Sequence, residues 1–266
     1  MIRTLFFTLA VAAAARAQLS APQIGFVEDG AQAVHPLYGI AGNFILGKAA
    51  PGTAVSFASS GSFELLKTDS AVIALGRLGQ MVASMNAPAG PALFAFAPNG
   101  APALAYLAAT NELFRWSAAG LQAIALGQTS LGDGTVLTIA SPDSAHAAFI
   151  LQRADGLWDI RVLLATGEMD SESALAGVTA PAFMLSSGDI VYAIGLRRGR
   201  LSTQSVVIRR TDGSEIQLPA ELPAGFSFEQ MGDAWVQIRG LGGAAQFAIR
   251  ATPGLEGVYR LPEVER

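Results

Sequence analysis

An internal repeat constrains the fold of this chain more than any other feature of its sequence. Four segments align without gaps at an offset of 44 residues, and each is a short apolar run that ends in a polar turn. The turn residues accept the bent or left-handed backbone that a tight hairpin needs. Each segment therefore predicts a strand followed by a hairpin turn; the four segments are 91–100, 135–144, 179–188 and 223–232.

More strand-like runs follow each turn in the same register. They are short and rich in β-branched or aromatic residues, as buried strands are. The second runs are 103–107, 147–151, 191–195 and 235–239; the third are 113–116, 157–162, 205–208 and 246–249; weaker fourth runs are 121–124, 214–218 and 257–261. Four short strands in each repeat of about 44 residues are typical of a β-propeller blade.

The sequence therefore predicts an all-β fold, a β-propeller of about six four-stranded blades, with five or seven blades as alternatives. A β-sandwich also has periodic turns, but the gapless register favours the propeller. A hairpin predicted over 23–38 would help to close the ring, and the register assigns Ile150, Ile194 and Ile238 to one equivalent position. The predicted repeats lie near 54–90, 91–134, 135–178, 179–222 and 223–264.

One turn carries a recognisable motif. Ser141-Pro142-Asp143-Ser144 and the strand after it resemble the Ser-Pro-Asp-Gly turn of WD40-like repeats in bacterial exported propellers, the TolB type among them. Ser144 stands where those repeats have glycine, and 97–100 is a second, partial match. The resemblance covers the repeats over 54–264. It implies a propeller and carries over no catalytic residue, because this fold alone does not imply a function.

The first 17 residues have the pattern of a secretory signal peptide. Arg3 precedes an apolar run over 5–15, and Ala15-Arg16-Ala17 is a small-x-small cleavage pattern. The run is too short to span a bilayer as a helix. We therefore expect an exported protein, periplasmic or extracellular, whose mature chain over 18–266 forms a single propeller domain with a net charge of −6.

Composition excludes several function classes. The full chain has a net charge of −4, which argues against nucleic acid as a main partner because phosphate binding needs a basic face. It has no cysteine, which excludes disulfides, thiolate metal sites and cysteine nucleophiles, and only two histidines. After residue 17 no uncharged apolar run is long enough to span a membrane. We expect a monomer with no metal and no cofactor.

An arginine cluster is the candidate binding site. Arg197, Arg198 and Arg200 surround a glycine in the predicted loop between the second and third strands of one blade, and Arg209 and Arg210 follow. Arginines bind carboxylate or phosphate groups well. The resemblance implies that this loop lies on a face that often binds partners, although a solvated loop has the same composition. Arg209 and Arg210 point to opposite faces of a strand, so at most one of them joins the cluster.

Other chemical signals have structural explanations. His146 is expected to fix a blade turn, and His35, before a proline, to be exposed. The carboxylates at 168–172 could hold Ca²⁺, but we interpret this run as an acidic connector between blades. The segment 42–49 nearly matches a phosphate-binding loop but lacks its final hydroxyl, which makes it a coincidence. The three tryptophans are expected to pack between blades: Trp116, Trp158 and Trp235.

Three functions follow as hypotheses. The first is an exported, non-catalytic propeller that binds a protein or a small ligand on one face or at the channel mouth. The second is a secreted enzyme that acts on carbohydrate with carboxylates around the channel, which would need a pair roughly 5–9.5 Å apart. The third is a structural module with a large exposed apolar patch. The absence of G-x-S-x-G and H-E-x-x-H motifs favours the first.

Overall fold

The computed structural model consists of short strands joined by turns, arranged in six antiparallel sheets. It describes residues 21–262 except 30–32, 50–53, 61–62, 77–79, 99, 118–119, 128–129, 180, 199–200, 224 and 241–246. The predicted signal peptide over 1–17 lies outside the described residues.

The sheets follow one another along the chain, and we number them blade 1 to blade 6. Blade 1 contains β1 (Gln23–Glu28), β2 (Val34–Ile40) and β3 (Asn43–Leu46); blade 2 contains β4 (Ser56–Ser60), β5 (Phe63–Lys67), β6 (Ala71–Gly76) and β7 (Met81–Asn86); blade 3 contains β8 (Ala92–Phe96), β9 (Ala103–Leu107), β10 (Glu112–Ser117) and β11 (Gly120–Ile124). Blade 4 contains β12 (Thr135–Ala140), β13 (His146–Gln152), β14 (Trp158–Leu164) and β15 (Met169–Ala174); blade 5 contains β16 (Ala182–Met184), β17 (Ile190–Arg198), β18 (Leu201–Arg209) and β19 (Glu215–Ala220); blade 6 contains β20 (Phe226–Gly232), β21 (Trp235–Gly240), β22 (Phe247–Arg250) and β23 (Gly257–Arg260).

The six sheets form a closed ring, which confirms the predicted six-bladed propeller. In the described part of the chain, an apolar cluster fills each gap between neighbouring blades, including the gap between blade 6 and blade 1. The first strands of successive blades contact one another around the centre. The three tryptophans lie in or against these clusters, as predicted; Trp116, for example, stacks on Phe63 of blade 2 with ring centroids 5.4 Å apart.

The N-terminal blade differs from the others. It has three strands in the described residues, whereas the other five blades have four. Its third strand, β3, comes from the segment that nearly matched a phosphate-binding loop, so that segment is a strand as its apolar spacer suggested. The predicted hairpin over 23–38 forms β1 and most of β2.

The ring closes through a close backbone approach at blade 1. A Cβ atom built on Gly25 of β1 would lie 1.6 Å from the carbonyl oxygen of Met231 in β20. That carbonyl also accepts a hydrogen bond from the hydroxyl of Ser59 in β4, at 2.7 Å. One residue of blade 6 therefore joins blades 1 and 2, and β20 and β4 are themselves in contact.

The predicted register is wrong between blades 4 and 5. Ile150 packs towards the following blade, whereas Ile194 and Ile238 pack towards the preceding one. Successive strand residues point to opposite faces, so a shift by an odd number of residues reverses the buried side. The three isoleucines therefore do not share one position. The acidic run at 168–172 is also not a connector, because it enters the exposed fourth strand β15 of blade 4.

We predict that Gly25→Ala destabilises the ring by about 2 kcal/mol or more, because a methyl group has no room against the Met231 carbonyl. The matched control is Gly195→Ala, also in a strand, where a Cβ would have nothing within 4 Å. Thermal or urea unfolding of both variants measures the difference. Equal stability of the two variants would contradict the close approach.

Candidate functional site

A cavity lies at the centre of the ring, beside the beginnings of the inner strands. Its volume is about 560 Å³, within the range of small-molecule sites. The wall comes from the inner strands of blades 2 to 6 and the residues just before them, and among the described residues β1 contributes nothing to it. The wall is largely apolar; its larger apolar side chains include Phe57, Leu93, Leu137, Ile139, Phe226 and Phe228.

One ion pair interrupts this apolar wall. Glu229 of β20 and Arg239 of β21 both line the cavity, and a guanidinium nitrogen of Arg239 lies 3.1 Å from Glu229 Oε1. The hydroxyl of Ser227 donates to the same oxygen at 3.4 Å. Glu229 Oε2 is buried and accepts no hydrogen bond from the residues that the structure describes. Burial raises the pKa of Glu229, and the attraction of Arg239 only partly opposes this rise.

The ion pair lies on the face of blade 6 that turns away from blade 5. Phe226, Phe228 and Ile238 turn towards blade 5. Glu229 and Arg239 alternate with them along β20 and β21, so they occupy the other face of the blade. Further along β20, Met231 on that same face packs against blade 1.

The prediction from sequence did not single out Glu229, and the repeat gave no signal for it. At the 44-residue offset the other repeats hold Ala97, Ser141 and Leu185. Each of these residues follows the end of its inner strand, whereas Glu229 lies inside β20. The offset therefore does not align equivalent positions here, and the ion pair becomes visible only in the folded chain.

Among the described residues, carboxylates with a raised pKa do not gather around the channel. Burial raises the pKa of Glu64 to about 7 and also that of Asp233. Glu64 pairs with Ser59 across β4 and β5, on the side of blade 2 that faces blade 1, and Asp233 lies in the turn between β20 and β21. Neither lines the cavity, so Glu229 is the one carboxylate in the described wall.

The arginine cluster lies at the end of a long hairpin. The strands β17 and β18 have nine residues each, whereas the other second and third strands have four to seven. The first residue of β16 pairs with Tyr192, so the backbone of β17 runs about 20 Å further, past the beginning of the inner strand. Arg197 and Arg198 end β17, while Arg200 lies outside the described residues.

Arg209 and Arg210 do not join this cluster. Arg209 pairs with Glu215 at 2.7 Å and donates to the carbonyl of Ala176 in the connector from blade 4. Arg210 is mostly buried and pairs with Asp189 of its own blade and Glu256 of blade 6. Both guanidinium groups therefore hold blades together at the opposite end of β18 from the hairpin tip.

Both histidines have structural partners. His146 contacts the Asp143 carboxylate of its own turn at 2.8 Å, as expected for a residue that fixes a blade turn. This contact, with two backbone hydrogen bonds, lowers the pKa of Asp143. The prediction that His35 is exposed is wrong: it is buried between Asp29, at 3.1 Å, and the Gly47 carbonyl, at 3.0 Å. The contacts of its two ring nitrogens with these oxygen atoms hold the imidazole of His35 inside the blade.

The described residues contain neither a cluster of metal ligands nor a helix that could span a membrane. Across them, no group of three or more His, Asp or Glu side chains is arranged to hold a metal ion. Glu172, from the acidic run, instead pairs with Arg161 at 2.9 Å. Within the same residues there is no helix long and apolar enough to cross a bilayer.

Comparison with known proteins gives a result at the level of structure. Neither a protein-family model nor a curated protein matches the sequence. A chain in a nidogen/laminin complex has a TM-score of 0.56 at 10% identity, with 91% of this chain and 99% of that chain covered. TolB from Acinetobacter baumannii has a TM-score of 0.55 at 13% identity, with 90% and 66% covered. The Cps50 (Swd1) β-propeller domain of Myceliophteria thermophila has a TM-score of 0.50 at 12% identity, with 92% and 88% covered.

The shared property is the β-propeller fold. The structural matches include TolB, the type of propeller whose repeats the Ser-Pro-Asp turn resembles, and another β-propeller domain. This propeller spans about two thirds of the TolB chain. A structural similarity at such low sequence identity shows the architecture alone. The function therefore has to be argued from the cavity and the hairpin.

The raised pKa of Glu64 predicts a dependence of stability on pH. The carboxyl group titrates near pH 7 in the folded chain and near 4.5 when unfolded, so the native state binds more protons between these values. Stability should therefore fall as the pH rises from about 4.5 to 7. Glu64→Gln should weaken this dependence, whereas Glu112→Gln, at an exposed site, should leave it unchanged. Unfolding temperatures of the three proteins between pH 4.5 and 8 test this, and identical slopes would contradict it.

Proposed function

We propose that the protein is an exported, non-catalytic binding module that holds its partner on the face where the inner strands begin. The observation that carries this proposal is the position of two features on one side of the ring. The central cavity lies at the start of the inner strands, and the long hairpin of blade 5 extends past the start of β16. Propellers commonly use such a face to bind other proteins.

The chemistry of the hairpin favours an acidic segment of a protein partner. Arg197, Arg198 and Arg200 place three positive charges within four residues, on a chain whose net charge is otherwise negative. Guanidinium groups bind carboxylates through paired hydrogen bonds. Beyond the Gln204–Ala220 pair, β17 and β18 pair with each other and with no other strand in the described part of the chain.

The alternative, an enzyme acting on carbohydrate, has less support. Glycoside hydrolysis generally needs two carboxylates about 5–9.5 Å apart. The described wall contains one carboxylate, Glu229. The polar contacts of this carboxylate are with Arg239 and Ser227, and no second carboxylate is near it in the wall. The purely structural alternative predicts one large apolar patch. The exposed large apolar residues instead are spread over blades 1, 2, 4 and 6.

The hairpin proposal predicts a charge-dependent interaction. The mature protein, residues 18–266, should bind a fluorescent ten-residue polyglutamate peptide, and an Arg197/Arg198/Arg200→Ala variant should bind it at least tenfold more weakly. The interaction should also weaken with added salt, because exposed charges are screened. Fluorescence anisotropy measures both effects.

The control removes positive charge elsewhere. A Lys48→Ala/Arg153→Ala variant, at two exposed positions on other blades, should keep nearly the wild-type affinity. Equal loss in both variants would show that net charge, and not the hairpin, governs binding. Capture of partners from an extract of the source, with the same variants, then tests whether a natural partner depends on the hairpin.

Export has its own test. The signal-peptide pattern over 1–17 predicts that the protein found outside the cytoplasm begins at Gln18. N-terminal sequencing of the protein from the periplasm or the medium checks this. Recovery of the uncleaved chain from the cytoplasm alone would contradict export.

A further inference from the structure

The carboxylate in the central cavity has an incomplete set of partners. Arg239 and Ser227 both contact Oε1 of Glu229, and Oε2 accepts no hydrogen bond from the described residues. A buried acceptor without a partner costs about 1–3 kcal/mol, and more when it carries a charge. A donor that reached Oε2 would remove this cost.

The place of this carboxylate suits a ligand. It lies in the wall of a cavity of about 560 Å³ whose other lining residues are mainly apolar. The last torsion of a glutamate side chain is broad, so a modest rotation turns Oε2 towards the cavity at low cost. A donor in the cavity can then bind one oxygen while Arg239 keeps the other.

Resting on the proposed function, we propose that the central cavity binds the ammonium group of an apolar amine, with the amine held by Glu229 and its stem against the apolar part of the wall. A positive donor suits the site better than a neutral one. Burial penalises the charge of Glu229 more than Arg239 compensates for it, so a second cation restores the balance.

Three ligands of similar shape and different charge test the proposal. Isothermal titration calorimetry at pH 7.5 would compare 2-phenylethylamine, 2-phenylethanol and 3-phenylpropanoate with the wild-type protein. The amine should bind at least tenfold more tightly than the alcohol and the carboxylate. Glu229→Gln should weaken amine binding at least tenfold and leave alcohol binding unchanged. Glu112→Gln, an exposed glutamate outside the cavity, is the matched control and should bind the amine like the wild type.

Several results would overturn the proposal. Alcohol binding as tight as amine binding would show that charge is not recognised. Tighter binding of the carboxylate would assign recognition to Arg239. Amine binding that survives Glu229→Gln would place the ligand elsewhere. If Glu229→Gln does not fold, NMR spectra of the wild-type protein test the site instead. Adding the amine should shift the amide signals of Ser227 and Gln230, which line the cavity. Unchanged signals of these two residues would reject the site.

A second arm distinguishes two sources of the ammonium group. The same titration with an acetyl-Ala-Lys-Ala-amide peptide, and with its side-chain-acetylated form, asks whether a lysine of a protein can enter. Binding of the amine and of the lysine peptide supports the proposal with a protein source, and binding of the amine alone supports it with a small-molecule source. The hairpin variant should bind the amine normally. A failed amine test with an intact hairpin test would therefore reject this inference and leave the proposed function in place.

Discussion

Each blade of this protein is an apolar sheet with two faces to cover, and that requirement determines the ring. A four-stranded sheet whose strands are buried on both sides is stable only between two neighbours. The described blades meet this condition with an apolar cluster in every gap. In the gap between blade 6 and blade 1, backbone approaches backbone closely at Gly25 and Met231. The cavity follows from this geometry, since inner strands held apart by their own blades leave a space at the centre.

Arginines have two different uses in this ring. Arg161 and Arg209 occupy third strands of neighbouring blades, and each pairs with a glutamate on the fourth strand of its own blade. Each also reaches a carbonyl group in the connector from the preceding blade, Ser130 or Ala176. The arginines at the tip of the blade 5 hairpin belong to a segment that extends beyond the inner strand. Position relative to the blade, and not the local density of arginine, separates the structural ones from the candidate binding ones.

The architecture was largely predictable from sequence because a repeat fixes many positions at once. Turns at 98–100, 142–144 and 187–189 joined first and second strands as predicted, and the blade number followed. The register failed between blades 4 and 5, because a shift by an odd number of residues leaves every strand hydrophobic and changes only the face that it buries. Blade 1 was only partly predicted, since its third strand lies in a segment with no counterpart in the repeats.

The candidate site was less predictable for a physical reason. Its ion pair comes from adjacent strands of one blade, but its apolar wall comes from five blades that are far apart in sequence. Periodicity indicates which residues point inward only when the register is correct. It also gives no information on whether Glu229 finds all its partners. His35 shows the same limit, because its burial depends on Asp29 and on a distant carbonyl at Gly47.

The three-stranded blade also determines how the ring can come apart. Blade 1 and blade 6 meet at a junction that no described connector bridges. Val27 and Leu37 on one side and Met231, Ala248 and Leu261 on the other hold it by packing. Peeling β1 away from β20 would not open the ring, because β4 also contacts β20 and Ser59 still bonds the Met231 carbonyl. The ring therefore opens at this place only when blade 6 leaves blade 1 and blade 2 together.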